Sequence, residues 1–345
     1  MIESILVFGG KGGVGKSSIS AATAVLLSDL LPEKKILILS FDVAHNLSDL
    51  FNCEIGNKMT QITGNLWAIE PDPDIYAEIY TRNLIEKIKL LMKEMPLIGK
   101  LPQIETYIDE TFTSDSIPLA LKNAMFFQKI LDAEDLNIEE IQFDLIVADF
   151  PPTGNMVALF EIPEDQAKVM LKYSINFYNT IKDAIKNFSK MLRQIIKPFD
   201  DYEKRKELGK EVLNMMVDLE KRGERITELI HNVGSLRLVT IAEKPSFEEI
   251  KRARDLTQKY IELHAIHVNM LIPQKYAKKC KYCSKISLIQ QKYLIEIRKE
   301  FKSLKVWESN RLEIEPIDLN GLRDLAREVY GNDTAERILY PTKNY

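Results

Sequence analysis

An α/β fold, with a mostly parallel central sheet and flanking helices, follows from three stretches of this 345-residue chain. The first is a short apolar run, Ser4-Ile5-Leu6-Val7-Phe8, followed at once by Gly10-Lys11-Gly12-Gly13-Val14-Gly15-Lys16-Ser17 and then by the helix-prone Ala21-Ala22-Thr23-Ala24-Val25-Leu26-Leu27. The second and third are apolar runs that each end on a carboxylate: Lys35 to Phe41 before Asp42, and Phe143 to Ala148 before Asp149. Continuous apolar runs of this length, separated by helical patterns, are the signature of strands buried on both faces by crossover helices.

A strand, a glycine-rich loop and Gly-Lys-Ser opening a helix form the context that a phosphate-binding loop requires. Glycines let successive backbone N–H groups curl around phosphate oxygens, and the helix N-terminus adds partial positive charge. The candidate nucleotide-binding set here is Gly10, Lys11, Gly12, Gly13, Val14, Gly15, Lys16, Ser17 and Ser18. Lys16 is expected to reach the β- and γ-phosphates of ATP, and the Ser17 hydroxyl to ligand Mg2+. Lys11 would crowd a second charge onto the same phosphate tail. It either reaches outward to a nucleotide held by a facing subunit, as an arginine finger in trans does, or is a solvated loop lysine.

Asp42 opens the segment Asp42-Val43-Ala44-His45-Asn46-Leu47-Ser48-Asp49. A carboxylate at the C-terminal end of a parallel strand faces the ligand crevice, so Asp42 is placed to orient or deprotonate an attacking water near the γ-phosphate. The competing reading is a helix N-cap. Leu66-Trp67-Ala68-Ile69-Glu70 is a shorter strand, stopped by Pro71-Asp72-Pro73.

From Tyr76 to about Ile130 the pattern turns helical, with Leu84, Ile88, Leu91 and Met95 on one apolar stripe. The apolar run ending on Asp149 resembles a Walker B element, with Asp149 acting on the Mg2+ shell. Phe150-Pro151-Pro152-Thr153-Gly154-Asn155 then suits a loop that rearranges when the γ-phosphate is lost. A second helical stretch carries Tyr178, Ile181, Ile185, Phe188, Leu192 and Ile195, then Leu208, Val212, Met215 and Leu219. The expected organisation is one ATPase domain, with a core of about residues 1–75, 136–164 and 232–345 and an inserted helical subdomain of about 76–135 and 165–231. The apolar stripes of that insertion are either its own core or an exposed, methionine-rich groove for an apolar partner segment.

Leu236 to Ala242 reads as a strand, Ser246 to about Leu263 as a helix, and Ala265 to Pro273 as a further strand carrying Asn269. An Asn on the ligand side of a strand can pair with an adenine edge. Cys280-Lys281-Tyr282-Cys283 has the half-site spacing of structural zinc, which takes four ligands. The other cysteine, Cys53, lies far off in sequence. A four-thiolate site on a two-fold axis between two copies would complete it; a redox dithiol and two idle cysteines are the other readings. A short strand, Lys305-Val306-Trp307, and a loop at Pro316 that reaches toward the nucleotide base close the chain.

Composition narrows the function. Hydrophobic content of 45% and charged content of 28% are ordinary for a globular protein, and the net charge of −4 gives no support for nucleic-acid binding. No stretch approaches the roughly twenty apolar residues of a membrane span, and the expected location is the cytoplasm.

These motifs resemble those of the arsenical-pump-driving and tail-anchored-protein-targeting ATPases. The loop Gly10 to Ser17 looks like a deviant Walker A motif with its signature lysine at Lys11. Asp42 to Asp49 is similar to the family's switch I, and Asp149-Phe150-Pro151-Pro152-Thr153-Gly154-Asn155 to its switch II. Ala68-Ile69-Glu70-Pro71-Asp72-Pro73, Asn269 and Cys280-Lys281-Tyr282-Cys283 follow in the family's order. The resemblance is closest to the guided-entry targeting branch, which has one nucleotide unit and the paired cysteines. It implies a zinc-bridged homodimer, and it leaves open pairing into tetramers. Lys11 would contact the nucleotide of the facing subunit and Asp42 would position water while sharing in the Mg2+ site. Asn269 would contact adenine. ATP would join two helical lobes into an apolar groove for the transmembrane helix of a client handed to a membrane receptor or insertase. Pump energisation with arsenite or antimonite, and a general holdase role, are the alternatives. The chain departs from the family pattern at Pro151 and Asn155, around Pro118 to Asn123, and in the loop at Pro316.

Overall fold

The computed structural model describes residues 2–41, 46–72, 82, 86, 90, 130, 141–156, 160, 207, 210, 211, 214, 221 and 224–342. The chain divides into two compact units. The first comprises Met1–Asp72, Lys129–Phe160 and Thr227–Tyr345; the second comprises Pro73–Gln128 and Glu161–Ile226. The apolar stripes read along 84–95 and 178–219 lie outside the described residues, as do Asp42 and His45 of the segment after the second strand.

An eight-stranded sheet organises the first unit. In chain order its strands are β1 (Ser4–Gly10), β2 (Ile36–Ser40), β3 (Thr60–Gln61), β4 (Leu66–Ile69), β5 (Leu145–Asp149), β6 (Gly234–Ile241), β7 (Leu263–Leu271) and β8 (Lys305–Asn310). Their spatial order is β3-β4-β2-β5-β1-β6-β7-β8. Every pairing is parallel except β3 with β4. The expected fold class is therefore the observed one. Strands β1, β2, β4 and β5 are buried at every residue, which is why they read as unbroken apolar runs rather than alternating ones.

Two differences from the sequence reading have clear causes. β3 carries no apolar pattern; two residues, one of them exposed, give no periodicity to read. The helix expected over 246–263 is shorter. It runs Lys244–Thr257, with Pro245 in its first turn. The N–H groups of Tyr260 and Ile261 both bond back to the Thr257 carbonyl, closing a turn. Leu236 N then donates to Glu262 O at 2.9 Å, which draws the chain into the sheet as β7.

The helix after the glycine-rich loop, α1 (Lys16–Leu30), is buried almost all round, with Ala21, Ala22 and Ala24 among its core positions. Small residues let it lie close to the sheet while a second helix, Asp318–Tyr330, covers it from outside. The Thr23 hydroxyl of α1 lies 2.6 Å from the Tyr330 hydroxyl of that covering helix.

Beneath α1, a ring cluster fills one face of the sheet. His267 stacks on Trp307 at 4.9 Å and meets Phe8 at 5.6 Å and Tyr330 at 5.7 Å. Neither His267 ring nitrogen has a hydrogen-bond partner. Burial, reinforced by the nearby Arg237 guanidinium, holds its pKa well below 6.5. Arg237 is itself fully buried and donates from one guanidinium nitrogen to the carbonyls of Ile338 and Leu339, both at 2.9 Å. Burial lowers its pKa to about 10.

The consequence for stability has a definite sign. The unfolded chain protonates His267 near 6.5 while the folded chain keeps it neutral. Stability is therefore full above that pH and falls as the pH drops below it, by at most about 1.4 kcal/mol per pH unit from this one proton. In thermal melts between pH 7 and 5, a His267→Phe variant is expected to lose less melting temperature than the wild type; equal losses would remove His267 as a cause.

Candidate functional site

The loop between β1 and α1 sits at the point where the strand order reverses. β1 is flanked by β5 on one side and β6 on the other, and β2 lies beyond β5. Crevices for ligands form outside the carboxyl ends of strands at such a switch point. The register brings Phe8 of β1, Ser40 of β2 and Asp149 of β5 to one level at that edge.

Within the loop, Gly13 and Gly15 adopt positive φ of 81° and 83°. Gly15 is the more constrained, since a Cβ there would stand 2.4 Å from Asn269 Nδ2. No other residue type fits both its backbone and its space. The loop and the first turn of α1 line a cleft of about 450 Å³, with Lys11, Gly12, Gly13, Gly15, Lys16, Ser17 and Ser18 on one side. Asp49, Leu50, Glu315, Pro316 and Ile317 line the other. Gly10 and Val14 lie buried beneath the loop and do not line the cleft.

Lys16 is buried at 5% exposure, and its Nζ donates to Asp149 Oδ1 at 2.7 Å. Asp149 has no exposed surface. A Walker-type lysine and a strand-end carboxylate thus neutralise each other at the floor of the cleft. Lys11, by contrast, is exposed at its mouth. Pro152, in the loop after β5, lies near Gly12, where an added Cβ would stand 3.9 Å from its Cγ, and residues 153–156 after it are helical.

Asn269 lies under the loop rather than in the open cleft. Its Nδ2 donates to the Val14 carbonyl at 3.0 Å, and its Oδ1 accepts from Ser309 Oγ at 2.8 Å. Asp42 lies outside the described residues, but both flanks of its segment are defined. On one side Phe41 N donates to the Asp149 carbonyl at 2.8 Å, and the Phe41 ring meets Phe150 edge-on at 5.1 Å. On the other, α2 (Asn46–Phe51) starts on a carboxylate to which the sequence reading gave no role. Glu70, 1% exposed at the end of β4, accepts from Leu47 N at 2.8 Å and Ser48 Oγ at 3.1 Å. The signal was present: Glu70 is a third acidic residue at the carboxyl end of a buried strand, like Asp42 and Asp149.

The cysteine pair is placed elsewhere, at the start of a 20-residue helix, and does not line the cleft. Cys280 caps that helix, its Sγ accepting from Cys283 N at 3.4 Å, and this bond draws the Cys280 thiol pKa down. Cys280 is exposed and Cys283 half-buried. Among the described residues no group of three or more His, Cys, Asp or Glu side chains converges to hold a metal ion. One chain therefore offers two soft donors within a single turn.

Comparison with known proteins matches the model of the anion-transporting ATPase family to residues 3–331. A protein of Chlorobaculum tepidum that carries the name arsenical pump-driving ATPase is 30% identical across 97% of this chain and 77% of its own length. ATPase GET3 of Mycosarcoma maydis is 29% identical across 85% of this chain and 80% of its own. ATPase ASNA1 homolog 1 of Paramecium tetraurelia is 28% identical across 92% and 87%.

Proposed function

The chain belongs to the anion-transporting ATPase family, and we propose that it is a homodimeric targeting factor that uses ATP to shield and deliver the membrane helix of tail-anchored proteins. The observation that carries this reading is the Cys280/Cys283 pair. It supplies two thiolates on an exposed helix start, half of what zinc takes, and a second copy of the chain supplies the rest. Arsenite, the substrate of the rival reading, also prefers sulfur. The chain has only Cys53 beyond the pair.

Hydrolysis is assigned to the cleft at the switch point. Lys16 and the N–H groups of residues 12–17 hold the phosphates, and Ser17, Asp149 and Asp42 would hold Mg2+, which would neutralise charge on the phosphates. Charges would stay matched on loading: Lys16, now bonded to Asp149, would meet phosphate, and Asp149 would be left facing a metal that neutralises phosphate charge. Asp42 positions the attacking water. Lys11, exposed at the mouth, reaches the nucleotide of the facing subunit. Pro316 flanks the base, while Asn269, buried beneath the loop and bonded to Val14 and Ser309, would have to turn toward the cleft to meet an adenine edge. Zinc bound by Cys280 and Cys283 of two copies would tie the dimer that ATP then closes.

One experiment separates the readings. Purified protein with Mg-ATP is mixed with a peptide ending in a transmembrane helix, and mass, zinc and client are measured together. A dimer with one zinc per two chains and bound client is expected, with zinc and dimer lost in the Cys280→Ser/Cys283→Ser variant. Strong stimulation of ATP turnover by antimonite, without client capture, would replace this reading with the pump reading. Equal capture of soluble unfolded proteins would replace it with a general holdase.

A further inference from the structure

We propose that Gln290 is a positioning residue for nucleotide binding, acting on the phosphate loop through Asn269. The inference rests on the cleft being the ATP site and concerns a residue that does not line it. The 20-residue helix Lys281–Glu300 packs beside β7, and Gln290 on it is nearly buried, at 7% exposure. Its side chain spans an irregularity in β7. Val268 pairs with Glu308 and Leu271 with Asn310, so three steps along β7 match two along β8. That extra residue is a bulge, the device that re-aims side chains beside active sites. Met270 takes φ of 60°, the left-handed region that a non-glycine residue avoids.

A bulge leaves backbone groups out of the ladder, and Gln290 bonds one at Met270 within it and one at Ile272 just past the end of β7. Its Nε2 donates to the Met270 carbonyl at 3.0 Å, and its Oε1 accepts from Ile272 N at 2.8 Å. The pairing needs a donor and an acceptor at fixed spacing, which a primary amide provides. Asn269, the β7 residue just before this clamp, pairs across the sheet with Ile241 of β6, and its side chain bonds the Val14 carbonyl through Nδ2 and Ser309 Oγ through Oδ1. Contact with the loop is close. A Cβ on Gly15 would stand 2.4 Å from Asn269 Nδ2 and 3.3 Å from Met270 Cε. Releasing Gln290 lets the bulge relax toward an ordinary strand, turns Asn269 away from Val14, and loosens the N–H groups that follow. The same helix starts at Cys280, so Gln290 also ties the loop to the element that carries the proposed metal donors.

Loop N–H groups hold the phosphates in ground and transition states alike, so their loosening raises KM and leaves kcat unchanged. A merely structural role would lower the melting temperature without that split. The test measures kcat, KM for ATP and thermal unfolding for Gln290→Leu, Gln290→Glu, Asn269→Ala and the Gln290→Leu/Asn269→Ala double variant, with Lys16→Ala as control. Gln290→Leu is expected to raise KM about tenfold with kcat within about twofold, the size of one lost hydrogen-bonded link. Gln290→Glu, which keeps the acceptor for Ile272 N and loses the donor, is expected to fall between Leu and wild type. The double variant is expected to match Asn269→Ala alone, because the two act in series. An unchanged KM in folded Gln290→Leu, or two effects that simply multiply, would overturn the proposal. If the Leu variant shows no cooperative melt, Gln290→Glu decides, and a wild-type KM there overturns it equally. Loss of ATP turnover in Lys16→Ala alongside an unaffected Gln290 series would refute this inference alone; retained turnover in Lys16→Ala would refute the site assignment beneath it.

Discussion

Lys16→Ala is expected to abolish measurable Mg-ATP binding and to cut ATP turnover by about 1,000-fold or more, on the scale of removing a main phosphate-stabilising cation. The reason lies in the charge arrangement at the cleft floor. Lys16 is almost fully buried and bonded to Asp149, which has no exposed surface. Removing the lysine takes away the cation that meets the phosphates and leaves a carboxylate facing the incoming triphosphate. Like charge then opposes binding in a site of low dielectric, where it counts most. The loss also reaches the apo protein, since removing one partner of a buried pair costs about 3–5 kcal/mol. Titration calorimetry with Mg-ATP reads the first effect and denaturant unfolding the second. Lys16→Arg separates them: it keeps the charge near Asp149, so stability largely returns, while its planar fork in a loop built for a compact ammonium leaves turnover low. Wild-type affinity in Lys16→Ala would mean the phosphates sit elsewhere.

Asp42→Asn is expected to do the opposite to the two steps: Mg-ATP affinity stays within a few-fold while turnover falls about 100-fold, close to 2.7 kcal/mol in the barrier. Asparagine keeps the volume and one acceptor of aspartate but cannot take a proton or carry the charge that orients water. Both flanks of the segment have supports supplied by other residues. Phe41, one residue before, is held by the Asp149 carbonyl and by the Phe150 ring, and Leu47 by the Glu70 carboxylate. A melting temperature measured alongside shows whether the fold is intact in the variant. Single-turnover hydrolysis in parallel with nucleotide binding is the decisive pair of measurements. Near-normal turnover would remove Asp42 from water positioning, and a parallel loss of binding would make it chiefly a metal-shell residue.

Much of the site was legible because its chemistry is local. Gly10 to Ser17 is contiguous, its neighbours declare a strand and a helix, and that is the context a phosphate-binding loop requires. Asp149 announced itself as an acidic residue ending an apolar run, and the structure puts it 2.7 Å from Lys16, 133 residues away in sequence. Glu70 carried the same signal and was given no role because Pro71-Asp72-Pro73 beside it read as a simple strand stop. Pro316 was reachable only as a late loop residue; its place on the cleft wall is a product of the chain's return across α1.

Sequence alone determined what depends on neighbours along the chain: buried parallel strands from apolar runs, the glycine-rich turn between β1 and α1 from glycine spacing, and two cysteines within one turn at Cys280 and Cys283. Strand order, the bulge in β7 and the Gln290–Asn269–Val14 chain of hydrogen bonds were decided only by tertiary structure. The physical reason is that a lone Asn or Gln in an amphipathic pattern carries no periodic signal. Its role comes from which backbone groups a bulge leaves unpaired, and that is settled only when β7, β8 and the helix Lys281–Glu300 pack together.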